Sequence, residues 1–122
     1  MGKQKNKQKG ELGEGVAVNY LVKKGYRVLE RNYRCRYGEI DIIAKKNDNL
    51  IFVEVKTKTS DFFGAPEEMV DDCKLEKINN TIDYFMGERK GGDEINIRVD
   101  VIAVKIDRRG RLESIKHIEN FS

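Results

Sequence analysis

The first recurring pattern of apolar positions along the chain is helical. Leu12, Val16 and Tyr20 follow one another at intervals of four residues, so they line one face of a helix. This spacing predicts a first helix over residues 11–24, and Gly25 supplies a natural stop signal.

A second helical pattern lies in the second half of the chain. Its apolar positions step by three, four and three residues: Leu75, Ile78, Ile82 and Phe85. Pro66 suits the first turn of this helix, because its backbone N–H would have no partner there. Gly87 is expected to end the helix.

Five other segments have the composition of strands. They are residues 26–33, 38–45, 50–58, 95–106 and 112–118. Asn47, Asp48 and Asn49 are turn residues between the second and third of them. The predicted order is therefore α-β-β-β-α-β-β, and helices at both ends of a strand meander predict an α/β fold with a mixed sheet between helices.

The central hairpin places charged residues on one face. If it turns at Asn47 and Asp48, Asp41 faces Glu54 and Glu39 faces Lys56. Alternation would then put the following residues on the opposite face, as one continuous core surface: Ile40, Ile42, Ala44, Ile51, Val53 and Val55.

Two carboxylates that face each other across a sheet, as Asp41 and Glu54 would, repel one another. The pair is tolerated if one carboxyl is protonated, if Lys56 bridges them, or if a cation binds between them. Oxygen ligands of this kind suit Mg²⁺ or Mn²⁺ rather than zinc. A solvated strand face with ordinary ion pairs is the alternative, and the hairpin pattern alone leaves both open.

The first helix contains a carboxylate in an unusual setting. Glu14 lies between Gly13 and Gly15, and a glycine inside a helix is unfavourable by about 1 kcal/mol. The two glycines suggest close approach of another part of the chain or of a ligand.

Charge and cysteine content narrow the class of protein. The 122 residues include 24 basic and 21 acidic ones, and four of the basic residues lie in residues 1–9, which leaves 20 basic against 21 acidic residues in the remainder. Residues 1–9 are therefore expected to form a disordered basic tail, and residues 10–122 a single domain.

Cys35 and Cys73 form no metal-binding pair and are expected to be buried or half-buried free thiols, which favours a reducing cytoplasm. His117 is expected to be an ordinary surface residue, and no apolar run is long enough to cross a membrane.

Taken together, the distinctive residues resemble the YraN-like family of uncharacterised bacterial proteins over about residues 10–120. The matching residues are Gly13-Glu14, Ala17, Tyr20-Leu21, Gly25-Tyr26, Arg31-Asn32, Gly38-Glu39-Ile40-Asp41, Phe52-Val53-Glu54-Val55-Lys56, Gly64, Pro66, Lys74 and Asp100-Val101. That family is similar to the restriction-endonuclease-like superfamily, with its PD-(D/E)xK motif, and to archaeal Holliday-junction resolvases.

The resemblance implies a restriction-endonuclease-like three-layer sandwich with a mixed sheet of four to five strands. It also implies roles for individual residues. Asp41 and Glu54 would be catalytic carboxylates that ligate Mg²⁺ or Mn²⁺, with Glu14 and the backbone carbonyl of Val55 completing the site. Lys56 would orient or activate the attacking water. Ile40 replaces the proline of the motif, at a position that varies in the superfamily.

Several basic residues are candidates for phosphate contacts: Arg31, Arg34, Arg36, Lys58 and Lys74. The leading hypothesis is a metal-dependent endonuclease acting on structured or branched DNA in repair or recombination. The alternatives are a nucleic-acid-binding module of the same fold with little catalysis, or a protein-interaction domain. Resolvases act as dimers on two symmetric cleavage points, so the resemblance also allows this protein to be a homodimer.

Overall fold

The computed structural model describes residues 2–59, 70–89 and 95–121, and these ranges contain two helices and five strands. In chain order they are α1 (Gly2–Lys23), β1 (Arg27–Cys35), β2 (Gly38–Lys46), β3 (Asn49–Thr59), α2 (Asp72–Glu88), β4 (Asn96–Ile106) and β5 (Leu112–Ile118). The predicted order of elements is confirmed.

The two helices differ from the predicted segments at their ends. α1 begins at Gly2, nine residues before the predicted start, and the expectation that residues 1–9 form a disordered tail stays a prediction. α2 begins after Asp71, whose side chain caps the helix by accepting a hydrogen bond of 2.8 Å from the Lys74 backbone N–H. Gly87 lies inside α2, while Pro66 lies outside the described residues. Neither helix in the described ranges is long and apolar enough to cross a membrane.

The strands form one mixed sheet in the order β1-β2-β3-β4-β5. Three neighbouring pairs are antiparallel, and the central pair of β3 and β4 is parallel. α2 lies between β3 and β4 in the chain, as the connection between parallel strands requires a long crossover. The result is an α/β three-layer sandwich, as expected.

Each face of the sheet has its own hydrophobic core. Under α1, Ala17 and Leu21 pack on buried residues of β2, β3 and β4, among them Ile42 and Val53. On the other face, Ile78 and Ile82 of α2 belong to a second cluster, which also contains Ile40, Ile43, Leu50, Phe52, Val70, Val99 and Val101. β3 is therefore buried on both sides, which explains its nearly continuous apolar run.

The β2–β3 hairpin has the register that the sequence predicts. Ile42 pairs with Val53, and the ladder continues without a shift to Lys46 and Asn49. The two-residue turn between them has Asn47 at φ 56°, in the left-handed region that asparagine tolerates. The hydrogen-bonded register ends at Ile42 and Val53, one residue before Asp41 and Glu54 would have faced each other.

The prediction that Ile40 shares a core face with Ile42 is wrong. Ile42 belongs to the cluster under α1, whereas Ile40 belongs to the cluster under α2. The alternation fails at Asp41, where the β1–β2 register also skips the Asn32–Asp41 position. Asn32 has a φ of 53°, so the backbone of β1 turns locally at this point and both strands lose their regular pleat.

Gly13 allows α1 to approach β3 closely. A Cβ atom at this position would lie 1.8 Å from Oγ1 and 2.9 Å from Cβ of Thr57. Rotation of the threonine side chain cannot relieve the second contact, because the Cβ atom lies on the backbone side of χ1. Gly15 differs, since a Cβ there would meet nothing within 4 Å. Of the two glycines beside Glu14, only Gly13 is required by packing.

We expect Gly13→Ala to lower the free energy of unfolding by about 1–3 kcal/mol, the usual cost of overpacking. Gly15→Ala is the matched control. It should raise the free energy of unfolding by about 0.5–1 kcal/mol, because alanine is the better helix former and has room there. Urea unfolding of both variants measures the two effects. A Gly13→Ala protein as stable as the wild type would contradict the close packing.

Candidate functional site

The candidate site lies where β2 and β3 part. Beyond Ile42 and Val53 the ladder gives way to a side-chain contact, in which the backbone N–H of Val55 donates a hydrogen bond of 2.8 Å to Oδ2 of Asp41. The half-buried side chain of Asp41 thus accepts the hydrogen bond of a β3 backbone N–H, in place of a backbone carbonyl of β2. This contact fixes the Asp41 carboxylate at the point where the strands separate.

Glu14 of α1 reaches the same point from the helix layer. It lies close enough to Asp41 for direct hydrogen bonding and Coulombic repulsion between the two carboxyls. When the amide of Asn32 is oriented to donate, its nitrogen is 3.0 Å from Oε1 and 3.3 Å from Oε2 of Glu14. The left-handed backbone of Asn32 therefore positions an amide that holds the helix carboxylate beside Asp41.

An open pocket of about 410 Å³ lies beside these groups. Its lining comes from α1, β1 and β2: Gly10, Glu11, Glu14, Asn32, Arg34, Glu39 and Asp41. Asp41 and Glu14 are thus accessible to a solute that enters from the side of the sheet where β1 and β2 meet the first helix.

The pKa of Asp41 is raised from its ordinary value of 3.8 to about 6. Burial of the carboxylate is the largest cause, and the hydrogen bond from Val55 opposes it. Contact with Glu14 and repulsion from Glu39 raise the pKa further. The carboxylate is therefore costly in its charged form, and an added positive charge would stabilise it.

Glu54 is the most deeply buried carboxylate of the group, with 5% of the residue exposed. Two ammonium groups contact its Oε1 atom, with Nζ of Lys74 at 3.3 Å and Nζ of Lys56 at 3.4 Å. Burial and repulsion from Asp41 raise the pKa of Glu54, and the two lysines only partly offset this. Lys74 and Lys56 come from α2 and β3, so Glu54 is held between one helix layer and the sheet.

The predicted facing pair of Glu39 and Lys56 does not form a contact. Oε2 of Glu39 pairs instead with Nε of Arg34 at 3.1 Å, while Lys56 pairs with Glu54. Among the residues that the structure describes, no group of three or more carboxylate, imidazole or thiol side chains is arranged so that it could hold a metal ion as it stands. The structure brings Glu14 and Glu54 each beside Asp41, from opposite sides of the sheet.

The other predicted phosphate-contacting residues have different surroundings. Arg31 is exposed on β1 opposite Ile42, and Arg36 lies with its guanidinium 5.0 Å from the centre of the Tyr37 ring. Lys58 is half-buried, two residues beyond Lys56 on β3. Arg31 and Arg36 therefore lie on β1 and in the turn that follows it, and neither lines the pocket.

Comparison with known proteins decides the family. The model of a family described as "Uncharacterised protein family UPF0102" matches residues 13–104, which include Glu14, Asp41, Glu54 and Lys56. The chain belongs to the UPF0102 family. This agrees with the resemblance to YraN-like proteins found in the sequence.

Relatives in the UPF0102 family are similar over nearly their whole length. A UPF0102 protein of Alkaliphilus oremlandii is 47% identical over 116 residues, which cover 94% of this chain and 97% of that protein. One from Syntrophus aciditrophicus is 47% identical over 91% of this chain and 87% of its own length. One from Clostridioides difficile is 46% identical over 94% and 96% respectively.

The expectation that His117 is an ordinary surface residue is wrong for this UPF0102 protein. Only 7% of its side chain is exposed, and Nε2 lies 2.6 Å from Oδ2 of the buried Asp100. Tyr20 of α1 contacts the other ring nitrogen at 3.1 Å. Burial alone would raise the pKa of Asp100, but hydrogen bonds from His117, Arg98 and the backbone of Asn120 hold it below its ordinary value.

This network ties β4, β5 and the C-terminal half of α1 together, on the face of the sheet opposite to Glu54. Arg98 donates to both oxygens of Asp100 at 2.9 Å and also to the Tyr26 hydroxyl at 2.8 Å. A buried charged group with this many partners stabilises one arrangement of the elements it joins. It positions α1, whose other half carries Glu14.

Sequence reasoning gave Asn32 no role at the site, and it proposed phosphate contact for Lys74. In the structure Asn32 contacts Glu14, and Lys74 forms an ion pair with Glu54. Asn32 had one available signal, because an asparagine in the middle of a predicted strand is unusual. Both cysteines are free thiols, as expected. Cys35 is half-buried, but Cys73 is exposed, so the expectation that it is buried or half-buried is wrong.

Asp41→Asn tests the electrostatic cost of the site in this UPF0102 protein. A carboxyl whose pKa is raised by folding contributes stability below its unfolded pKa, and that contribution is lost as the pH rises through the folded pKa. For Asp41 the loss falls between about pH 4 and about pH 6. Without added metal, the variant should be more stable than the wild type by about 1–3 kcal/mol at pH 7, with no gain below pH 4.

Urea unfolding in EDTA at several pH values measures this difference. Glu30→Gln is the matched control, because Glu30 is an exposed carboxylate on the neighbouring strand and its neutralisation should change little. Equal stability of wild type and Asp41→Asn at every pH would show that Asp41 carries no such cost.

Proposed function

We propose that this protein is a metal-dependent endonuclease that hydrolyses phosphodiester bonds in structured or branched DNA. The observation that carries the proposal is that Glu14 and Glu54 each lie beside Asp41 where β2 and β3 part, with an ammonium group of Lys56 against Glu54. Burial raises the pKa of Asp41 and of Glu54, and carboxylates perturbed in this way are a common mark of functional sites.

The donor chemistry of the site fits a hard divalent cation. Carboxylates are the side chains that Mg²⁺ and Mn²⁺ prefer, and each carries two oxygens. The contacts described above use Oδ2 of Asp41 and Oε1 of Glu54. Asp41, Glu54, Glu14 and the backbone carbonyl of Val55 are the groups that would hold the cation. Bound there, it would lower the pKa of a coordinated water and offset charge on the phosphate.

The chain's own residues have separable roles in this proposal. Asp41 is fixed by the Val55 N–H, so its position does not depend on a ligand. Lys56 has a side chain that is partly exposed, and its ammonium can donate hydrogen bonds to the attacking water or to a phosphate oxygen. Glu14 lies beside the pocket on α1 and would complete the metal site there, directly or through a bound water.

The proposed substrate follows from the surface around the pocket. Arg34 lines the pocket itself, and Arg31 and Arg36 lie on the same strand and the turn that follows it. Contacts from such residues to phosphates would position DNA without reading its sequence. Repair or recombination is the setting we propose, with DNA as the partner.

A nucleic-acid-binding module with little catalysis is the second candidate. The observation that favours it is the pair of lysines on Glu54, because their two ammonium groups supply the positive charge that a cation would otherwise bring. A cation and these lysines would compete for the same carboxylate, which lowers metal affinity.

Cleavage assays on branched, nicked and blunt duplex DNA separate the two candidates. We expect the wild type to cut at least one branched substrate in Mn²⁺, and Asp41→Ala, Glu54→Ala and Lys56→Ala to lower the rate by roughly 10²-fold or more. Glu76→Gln, on the exposed side of α2, is the control and should keep full activity.

Calorimetric titration with Mn²⁺ in the same samples supplies the second readout. Binding that disappears in Asp41→Ala and Glu54→Ala would support the metal site. DNA binding that persists without metal binding or cleavage of any substrate would favour the binding module instead.

A further inference from the structure

We propose that a second site, formed by Tyr37 and Tyr84, binds an unpaired nucleobase of the DNA strand that enters the candidate site. This inference rests on the proposed function, because it names the class of DNA that would be cut: one with a single-stranded segment beside the cleavage point. The four residues that line this base-binding pocket are Tyr37, Asn80, Asp83 and Tyr84.

The two tyrosines are partly exposed to solvent, although they pack against each other. Tyr37 is 41% exposed and Tyr84 is 36% exposed, although both are large aromatic residues. Their ring centres are 5.9 Å apart, with an angle of 57° between the ring planes. The two rings therefore contact each other as a tilted pair, or wedge, that is partly exposed to solvent, and exposed aromatic rings are the usual platform for unpaired bases.

The surroundings of the wedge are charged in the pattern that a nucleotide requires. The guanidinium of Arg36 lies 5.0 Å from the centre of the Tyr37 ring, so positive charge is available for a phosphate next to the base. Asn80 and Asp83 line the pocket with amide and carboxylate groups, which can hydrogen-bond to base edges. Asp83 would repel a phosphate group, so the pocket itself favours a base.

The pocket has a volume of about 400 Å³, within the roughly 300–1,000 Å³ typical of small-ligand sites.

The turn that carries Tyr37 is held in place by close packing of its backbone against α2. Tyr37 lies in the turn just before Gly38, where an added Cβ would lie 3.1 Å from Oγ1 of Thr81 on α2. The φ of Gly38 is 153°, which other residues rarely adopt. The turn and α2 therefore pack tightly, and Tyr37 is fixed beside Tyr84.

The distance to the candidate site suits a single DNA strand. Tyr37 and Asp41 are four residues apart on one extended segment, which corresponds to roughly 13 Å at 3.3 Å per residue. That is the length of about four stacked nucleotide steps, on the scale of the 3.4 Å rise per strand of duplex DNA. Glu39 lies on this segment and pairs with Arg34 of β1, and both residues line the pocket of the candidate site.

Fluorescence anisotropy with a labelled single strand tests the base-binding pocket directly. Two probes are compared in EDTA: a strand with all its bases, and the same strand with abasic residues in its central part. We expect the wild type to bind the first roughly tenfold more tightly than the second. Tyr37→Ala and Tyr84→Ala should remove that difference, by weakening binding of the complete strand and leaving the abasic strand unchanged.

Phenylalanine variants separate stacking from loss of structure. Tyr37→Phe and Tyr84→Phe keep the ring and should retain the preference for bases, and Asn79→Ala on the exposed part of α2 should change nothing. Thermal unfolding of each variant verifies that it is folded. Equal affinity of the wild type for both strands, or an unchanged preference in folded alanine variants, would overturn the proposal.

The same variants, assayed for cleavage in Mn²⁺, distinguish this inference from the proposed function. Base-dependent binding that is lost in the alanine variants supports the pocket even if no DNA is cut, in which case the nuclease proposal alone fails. Cleavage of branched DNA with no effect of bases on binding would leave the nuclease proposal standing and overturn the pocket.

Discussion

The hydrogen bond from the Val55 N–H to Asp41 determines how β2 and β3 separate. Up to Ile42 and Val53 the hairpin is a regular ladder, and beyond them a side chain replaces the backbone partner. This exchange keeps a buried backbone donor satisfied and leaves the strands free to diverge. Where the strands diverge, Glu14 of α1 lines an open pocket beside Asp41, and Glu54 of β3 lies near Asp41 on the side of the sheet that α2 covers.

The site combines carboxylates that repel one another with cations that only partly compensate. Burial raises the pKa of both Asp41 and Glu54, and Lys74 and Lys56 offset the effect at Glu54 alone. A fold selected only for stability would replace one of these acids with a neutral residue. This protein retains both acids. The Asp100–His117 network contacts Tyr20 in the C-terminal half of α1, and by fixing that half of the helix it holds Glu14, in the other half, close to Asp41.

Local chemistry explains which features were predictable from the sequence. The hairpin register followed from the turn residues at Asn47 and from alternation, both of which depend on neighbours in the chain. The face of the sheet on which Ile40 lies could not be predicted in this way, because the left-handed backbone of Asn32 in β1 interrupts the regular pleat of the neighbouring β2. His117 depends on Asp100, 17 residues away, and on Tyr20, 97 residues away. Neither distance leaves a periodic signal, and both pairs arise only when the sheet and α1 are assembled.

Changes of length are more restricted than changes of residue in the central hairpin. The turn at Asn47 and Asp48 joins β2 to β3 with two residues and no spare ones, and β3 is covered by a helix on each face. One residue inserted within the paired part of β2 or β3 would turn the following side chains of that strand to the opposite face. Core residues would then become exposed, and Asp41 and Glu54 would be separated. The paired parts of β2 and β3 therefore accommodate a change of side chain more readily than the gain or loss of one residue.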